Sequence, residues 1–268
     1  MIAALLALLF GLLIGSFLNV CIHRWPRDLS VVRPRSHCPA CEKTIAWYDN
    51  IPLVSFVLLG GKCRHCGARI SLRYPAVELL TGLLFFYFVW TMGLTAAGLR
   101  MCVFAAILVG LIFADLEERI LPDELTLGGI VVGLAFSFFV YVPESIGGFF
   151  LLLAGVRGHR PWPWVMESVV GAVVPAFCLW LAGWLYERIR HREGLGLGDV
   201  KLIAMVGSFL GFGAAIYVLM LGSVAGSVIG YGYIKATRKD PSTYELPFGT
   251  FLGAAGLFIA LVAGKLLG

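Results

Sequence analysis

"HREGLGLGDVKLIAMVG", residues 191–207, sets one aspartate, Asp199, between a glycine-rich turn and a run apolar enough to enter a membrane. Its only opposite charge close by in sequence is Lys201. A carboxylate beside hydrocarbon is costly, so such a residue is read first as functional. Whether the run after it belongs to a membrane depends on the rest of the chain. Of 268 residues, 59% are hydrophobic and 14% charged, and the mean hydropathy is +0.89. Soluble domains sit near about half apolar and a quarter charged. The composition therefore describes an α-helical polytopic membrane protein, one bundle with a modest extramembrane insert.

The first apolar run, from Ile2 to about Ile22, lacks the basic start and small-residue cleavage site of a secretory signal. Asn19 and Val20 do not suit a lipoprotein motif at Cys21, so this run reads as a retained helix. Further runs lie at about 75–92, 97–114, 124–142, 164–186, 200–212, 213–234 and 247–267. Together they make about eight expected transmembrane helices, the sixth short and abutting the seventh. A stretch at 146–154 is too short to cross alone and reads as re-entrant or interfacial.

Basic residues give the orientation. On the eight-span reading, nine of the 21 follow the first span: Arg24, Arg27, Arg33, Arg35, Lys43, Lys62, Arg64, Arg69 and Arg73. Arg119, Arg188, Arg190, Arg192, Lys201, Lys235, Arg238 and Lys239 bring that side to 17, against Arg100, Arg157, Arg160 and Lys265 on the other. Positive charge marks the cytosolic side, which places residues 24–74 in the cytosol and both termini outside. The net charge of +5 reads as this topological signal, with attraction to anionic lipid, and not as nucleic-acid binding.

The insert carries "CPAC" at 38–41 and "CRHC" at 63–66, separated by 21 residues. Two thiolates on a tight turn can hold one ion, and a second such turn completes a tetrahedral sulfur site suited to zinc. Disulfides or a redox pair would use the same cysteines, but a cytosolic address disfavours persistent disulfides. Cys38, Cys41, Cys63 and Cys66 are thus the expected ligands of a structural zinc. His37 and His65 adjoin the knuckles as substitute ligands or as solvated loop residues. Cys21, Cys102 and Cys178 read as packing residues of the spans.

A second acidic group follows the third span. "FADLEERILPDELT", 113–126, puts Asp115 at its cytosolic end, with Glu117, Glu118, Asp123 and Glu124 beyond. The orientation sets Asp115 and Asp199 at one membrane face, on separate helices. Two such carboxylates can share a proton, one acting as base toward a water and the other as acid toward a leaving amine. Glycines 194, 196 and 198 allow a substrate strand or a partner helix to come close. The plainer alternatives make Asp115 an interfacial charge and Asp199 the N-cap of the sixth span. Asp123, after Pro122, stands where the next helix would be capped.

These motifs together resemble a family. "GLGLGDVKL" contains the GxGD element of intramembrane aspartyl proteases at Gly196–Asp199, and "ADLEERILPD" is similar to the companion motif of the type IV prepilin leader peptidases. "GSFLNVCIHRWP" (15–26), "SHCPACEKTIAWYDNIPLVSF" (36–56) and "GKCRHCGARISLRYPAVELLTG" (61–82) resemble the N-terminal half of its bifunctional bacterial members. Residues 143–166, with "GVRGHRPWPW", are longer than that pattern. The resemblance implies leader removal from prepilins and type II pseudopilins at the cytosolic face of the bacterial inner membrane. It further implies methylation of the new N-terminus with S-adenosylmethionine. Asp115 and Asp199 carry over as the peptidase pair and the four cysteines as the metal site. Residues 1–23 then form the first transmembrane helix, 24–74 a zinc domain tied to methylation, and 75–268 the peptidase domain.

For methyl transfer no nucleotide loop stands out, and "LLGGK" (58–62) is too weak a signal. Polar residues beside hydrocarbon are the candidates for cofactor and substrate binding: Asn19 and Glu78, with Arg24 and Arg73 near them. Glu78 could orient the substrate amine or simply pair with Arg73. "WYDNIP" (47–52) is either a contact for the adenine or substrate, or a turn at Asn50–Pro52. Other classes remain open on residues alone. A transporter would carry midplane charges and inverted repeats, whereas the acids here gather at one face. A zinc-stapled scaffold without catalysis would not need GxGD opposite a second aspartate, and a GxGD protease would need no methyl donor. The sequence leaves the oligomeric state open.

Overall fold

A helix satisfies every backbone polar group within itself, which is what hydrocarbon demands of a spanning segment. The computed structural model of the chain is accordingly helical; it describes residues 1–143, 145–153, 160–191, 194–237 and 246–267. Its α-helices are α1 (Ile2–Arg24), α2 (Val54–Leu58), α3 (Arg73–Met92), α4 (Ala96–Glu118), α5 (Asp123–Ser137), α6 (Gly147–Leu153), α7 (Trp162–Arg190), α8 (Leu197–Leu210), α9 (Phe212–Thr237) and α10 (Phe248–Leu267). Among the described residues there is no strand; two isolated bridges lie in the insert.

All eight expected runs are helical. Five helices, α1, α3, α4, α7 and α9, are long and apolar enough to cross a membrane, and α10 is a shorter apolar helix. The runs at 124–142 and 200–212 give α5 and α8, of 15 and 14 residues. At about 1.5 Å per residue neither reaches the roughly 30 Å of hydrocarbon. The expected run to 142 stops at Ser137. Beyond it the carbonyl of Tyr141 accepts from the guanidinium of buried Arg100 instead of continuing a helix. The short stretch at 146–154 is α6, packed on α7. Parts of the long 143–166 region, Arg157 among them, lie outside the described residues, as do Arg192, Arg238, Lys239 and the side chain of Lys265.

α4 is the central helix, with 67% of its apolar window buried, against 22% for the peripheral α9. Its start is capped by Thr95, whose hydroxyl accepts from the Gly98 N–H at 3.1 Å. Two crossings rely on glycine. Gly11 and Gly15 of α1 press on α3 so closely that a Cβ on Gly15 would stand 2.7 Å from the Glu78 Cα. On α8, a Cβ at Gly207 would collide with the Gly171 carbonyl of α7. Small residues four apart allow such approaches between membrane helices. Glu167 of α7 is fully buried; its Oε2 accepts from the N–H groups of Ser145, Ile146 and Gly147, and its Oε1 from Phe212. One carboxylate thus serves the exposed starts of both α6 and α9, a role the sequence did not suggest.

Candidate active site and metal centre

Asp115 sits three residues before the C-terminal end of α4 and is buried. Its Oδ2 accepts from the Thr250 backbone N–H at 2.6 Å and from the Thr250 hydroxyl at 2.7 Å. Thr250 lies in the first turn of α10. The carboxylate therefore stands at the positive end of that helix. Thr250 escaped sequence reasoning; the only signal was a polar residue opening an apolar helix behind Pro247.

Asp199 lies in the first turn of α8, whose N-cap is Gly196. The capping alternative for Asp199 fails here, because the residue is already inside the helix and caps nothing. Nor does Lys201 neutralise it: Lys201 Nζ donates to Asp123 Oδ1 at 2.6 Å, since two residues along a helix point to another face. Asp123 in turn is not a cap, as Pro122 holds that position and Asp123 opens α5. Asp115 and Asp199 lie within electrostatic range of each other. Leu121 packs between their surroundings, against Gly198 on one side and Gly249, itself beside the Asp115 carboxyl, on the other. The glycines leave the backbone bare next to both acids.

The four cysteines come together, all Sγ atoms within 4.8 Å of one another and Cys38 to Cys66 at 3.9 Å. Thiolates about 2.3 Å from one zinc in a tetrahedron stand about 3.8 Å apart, so the donor set fits that ion. The two knuckles repeat each other. Cys38 N–H donates to the Lys43 carbonyl and Cys63 N–H to the Ala68 carbonyl; Glu42 and Gly67 take left-handed backbone after the second cysteine of each. Backbone N–H groups of Cys66, then His65, pull the Cys63 thiol down to about 6. The Cys66 thiol goes the other way, up to about 11: the Ala68 backbone N–H pulls it down, but burial and the thiols of Cys41, Cys63 and Cys38 outweigh that pull. His37 faces the Arg35 carbonyl at 3.2 Å and is not in the cluster. Cys21 and Cys102 are buried as expected, but Cys178 is exposed on the outer side of α7.

A cavity of about 460 Å³ lies between this metal site and the α1–α3 pair, lined by Asn19, Arg24, Cys38, Cys63, Arg73, Glu78 and Glu117 among others. Its size suits a nucleoside-sized ligand. Asn19 donates from Nδ2 to the carbonyls of Gly15 and Tyr74, which fixes the amide's orientation. Its Oδ1 is then a buried acceptor without a partner, and Arg73 Nε is a buried donor without one. Buried polar atoms left open on a cavity wall suit a polar ligand. Glu78 does not pair with Arg73. Its Oε2 accepts from the Leu53 N–H at 2.8 Å, and Ser16 also reaches the carboxylate. Arg73 instead pairs with Glu117 and lies over the Tyr74 ring. The "WYDNIP" segment is a short 3-10 helix, Trp47–Asn50, that passes through extended Ile51 into a turn at Pro52 and Leu53, in line with the turn reading. Asp49 takes two hydrogen bonds from Arg64, which hold its carboxyl below the usual carboxylate range.

The sequence profile of the bacterial peptidase A24 N-terminal domain matches residues 9–92, and that of the type IV leader peptidase family matches 102–231. A prepilin leader peptidase/N-methyltransferase of Aeromonas hydrophila is 37% identical over 97% of this chain and 90% of its own length. This chain belongs to the type IV leader peptidase family. Proteins of the same name from Myxococcus xanthus and Pseudomonas aeruginosa are 40% and 34% identical. The first match covers 90% of this leader peptidase homologue and 66% of the Myxococcus protein; the second covers 97% and 90%. No solved structure matches it.

Proposed function

We propose that this chain is a bifunctional enzyme of the bacterial inner membrane. It removes the leader from type IV prepilins and type II pseudopilins at the cytosolic face, then methylates the new N-terminus with S-adenosylmethionine. The observation that supports the peptidase half is that Asp115 of α4 and Asp199 of α8 lie within electrostatic range of each other with glycine backbone beside them. One carboxylate takes a proton from water as it attacks the scissile carbonyl, and the other gives a proton to the leaving amine. Thr250 fixes Asp115 while this happens.

The methyl half rests on the cavity. When bound, S-adenosylmethionine supplies an electrophilic methyl group. Glu78 and the open Oδ1 of Asn19 hold the acceptor amine and shape its approach, largely a matter of positioning. Cys38, Cys41, Cys63 and Cys66 hold a zinc that leaves no open position, so it shapes the cavity wall and does no chemistry. The reading divides the chain into a first helix (1–23), a cytosolic zinc domain (24–74) and a peptidase domain (75–268). α5 and α8 then complete eight helices around the site as short members.

Purified chain incubated with a prepilin and labelled S-adenosylmethionine tests both halves. Leader loss and label transfer are scored separately. Each is expected; a prepilin that stays uncut overturns the peptidase reading, and a cut but unlabelled product overturns the methyl transfer.

A further inference from the structure

Residues Asn50–Gly61, "NIPLVSFVLLGG", lie inside the basic insert yet contain no ionisable group. They fold as α2 and its flanks, and the structure ties them to the spanning helices at depth. The Leu53 N–H donates to Glu78, five residues into α3, about 7.5 Å along its axis. Glu78 stands level with Gly15, nine residues before the end of α1 at Arg24, or about 13 Å from that end. The segment thus reaches below the ends of both helices between which it is inserted.

It is also built for a place without water. Ser55, Val57, Leu59, Gly60, Gly61 and Lys62 all donate their N–H groups to carbonyls within 51–59. The Ser55 hydroxyl accepts from the Ile51 N–H and donates to the Tyr48 carbonyl. Its outward side chains are apolar: Ile51 is 42% exposed, Val54 50%, Val57 75% and Leu58 80%. Lys62 and Arg69 follow closely in sequence, where anionic headgroups would meet them, while Arg64 between them is paired with Asp49. Paired N–H groups, an apolar outer face and bases at its edge describe an interfacial segment.

We propose that Asn50–Gly61 is a re-entrant loop whose α2 face, Val54, Val57 and Leu58, is inserted into the cytosolic lipid leaflet. It moors the zinc module to the membrane at the mouth of the cavity. The inference needs only the spanning character of α1 and α3 and is independent of either activity.

The test places an environment-sensitive fluorescent amino acid at position 58 in the full chain, held as a single copy in a lipid nanodisc. Position 58 is open, so the probe displaces no packed side chain. Lipids carrying a nitroxide high on the acyl chain should quench it at least threefold more than aqueous iodide does. Stronger quenching by iodide means the face is in water and overturns the proposal. Shielding from both quenchers means protein covers it, and overturns the proposal as well. A second probe at position 54 repeats the measurement on the same face, so one disturbed variant does not decide the outcome.

Discussion

Asp115 is firmly held, because both donors of Thr250 converge on one of its oxygens. Asp115→Asn and Asp199→Asn should each lower leader cleavage by at least about a hundredfold, since an amide neither takes nor gives the proton. The protein should stay folded and membrane-inserted, and substantial cleavage by either variant removes that residue from the chemistry. Thr250→Val keeps the backbone donor and loses the hydroxyl. A hydrogen bond to a charged group contributes about 1.5–3 kcal/mol, so cleavage should fall about tenfold or more; an unchanged rate would make Thr250 a bystander. Asp115 and Asp199 stood out as candidates because each sits in a local motif. Thr250 did not, because it meets Asp115 across 135 positions and nothing near it in sequence marks the encounter. Lys201 misled for the same reason: proximity along the chain suggested Asp199, while helix geometry turned it to Asp123.

Helices carry these residues, and their placement depends on contacts of two kinds. The knuckles were readable because each closes on itself: four residues set the ligand spacing and a left-handed residue ends the turn. Replacing Cys38 and Cys41 together with serine should remove about one zinc per chain and loosen the 24–74 region, since ligand binding and folding are linked. Metal analysis checks it; undiminished zinc would exclude these cysteines. The joints between helices were less readable. Runs of apolar residues announced α5 and α8 but not that both would be short, and Glu167 gave no sign that it would receive four N–H groups. Glu167→Gln puts an NH₂ where one of those donors points. The melting temperature in detergent should drop by several degrees, on a cost of about 1–3 kcal/mol for an unsatisfied buried group. A melting curve identical to that of the wild type would show that α6 and α9 hold without it.

Taken whole, the molecule holds two separate groups of polar residues, and the proposed activities divide between them. The aspartate pair is made by α4, α8 and the start of α10. The cavity is made by α1, α3, the knuckles and the 49–59 segment between them, and α4 reaches it through Glu117, two residues past Asp115 and paired with Arg73. Hydrolysis needs a proton shared between two carboxylates, whereas methyl transfer needs a neutral amine aligned with a sulfonium carbon. Different geometry asks for different residues, so the two activities should come apart under mutation. Glu78→Gln keeps an acceptor for the Leu53 N–H but loses the charge beside the amine. It should lower methylation of an already processed pilin by about tenfold and leave cleavage of a prepilin intact. Asp199→Asn should do the reverse, with processed pilin methylated at the wild-type rate. Both are read by supplying pilin with its leader already removed and following label from S-adenosylmethionine. Loss of that methylation in Asp199→Asn would mean that Asp199 serves methyl transfer as well as hydrolysis, and that the cavity and the peptidase pair are one site.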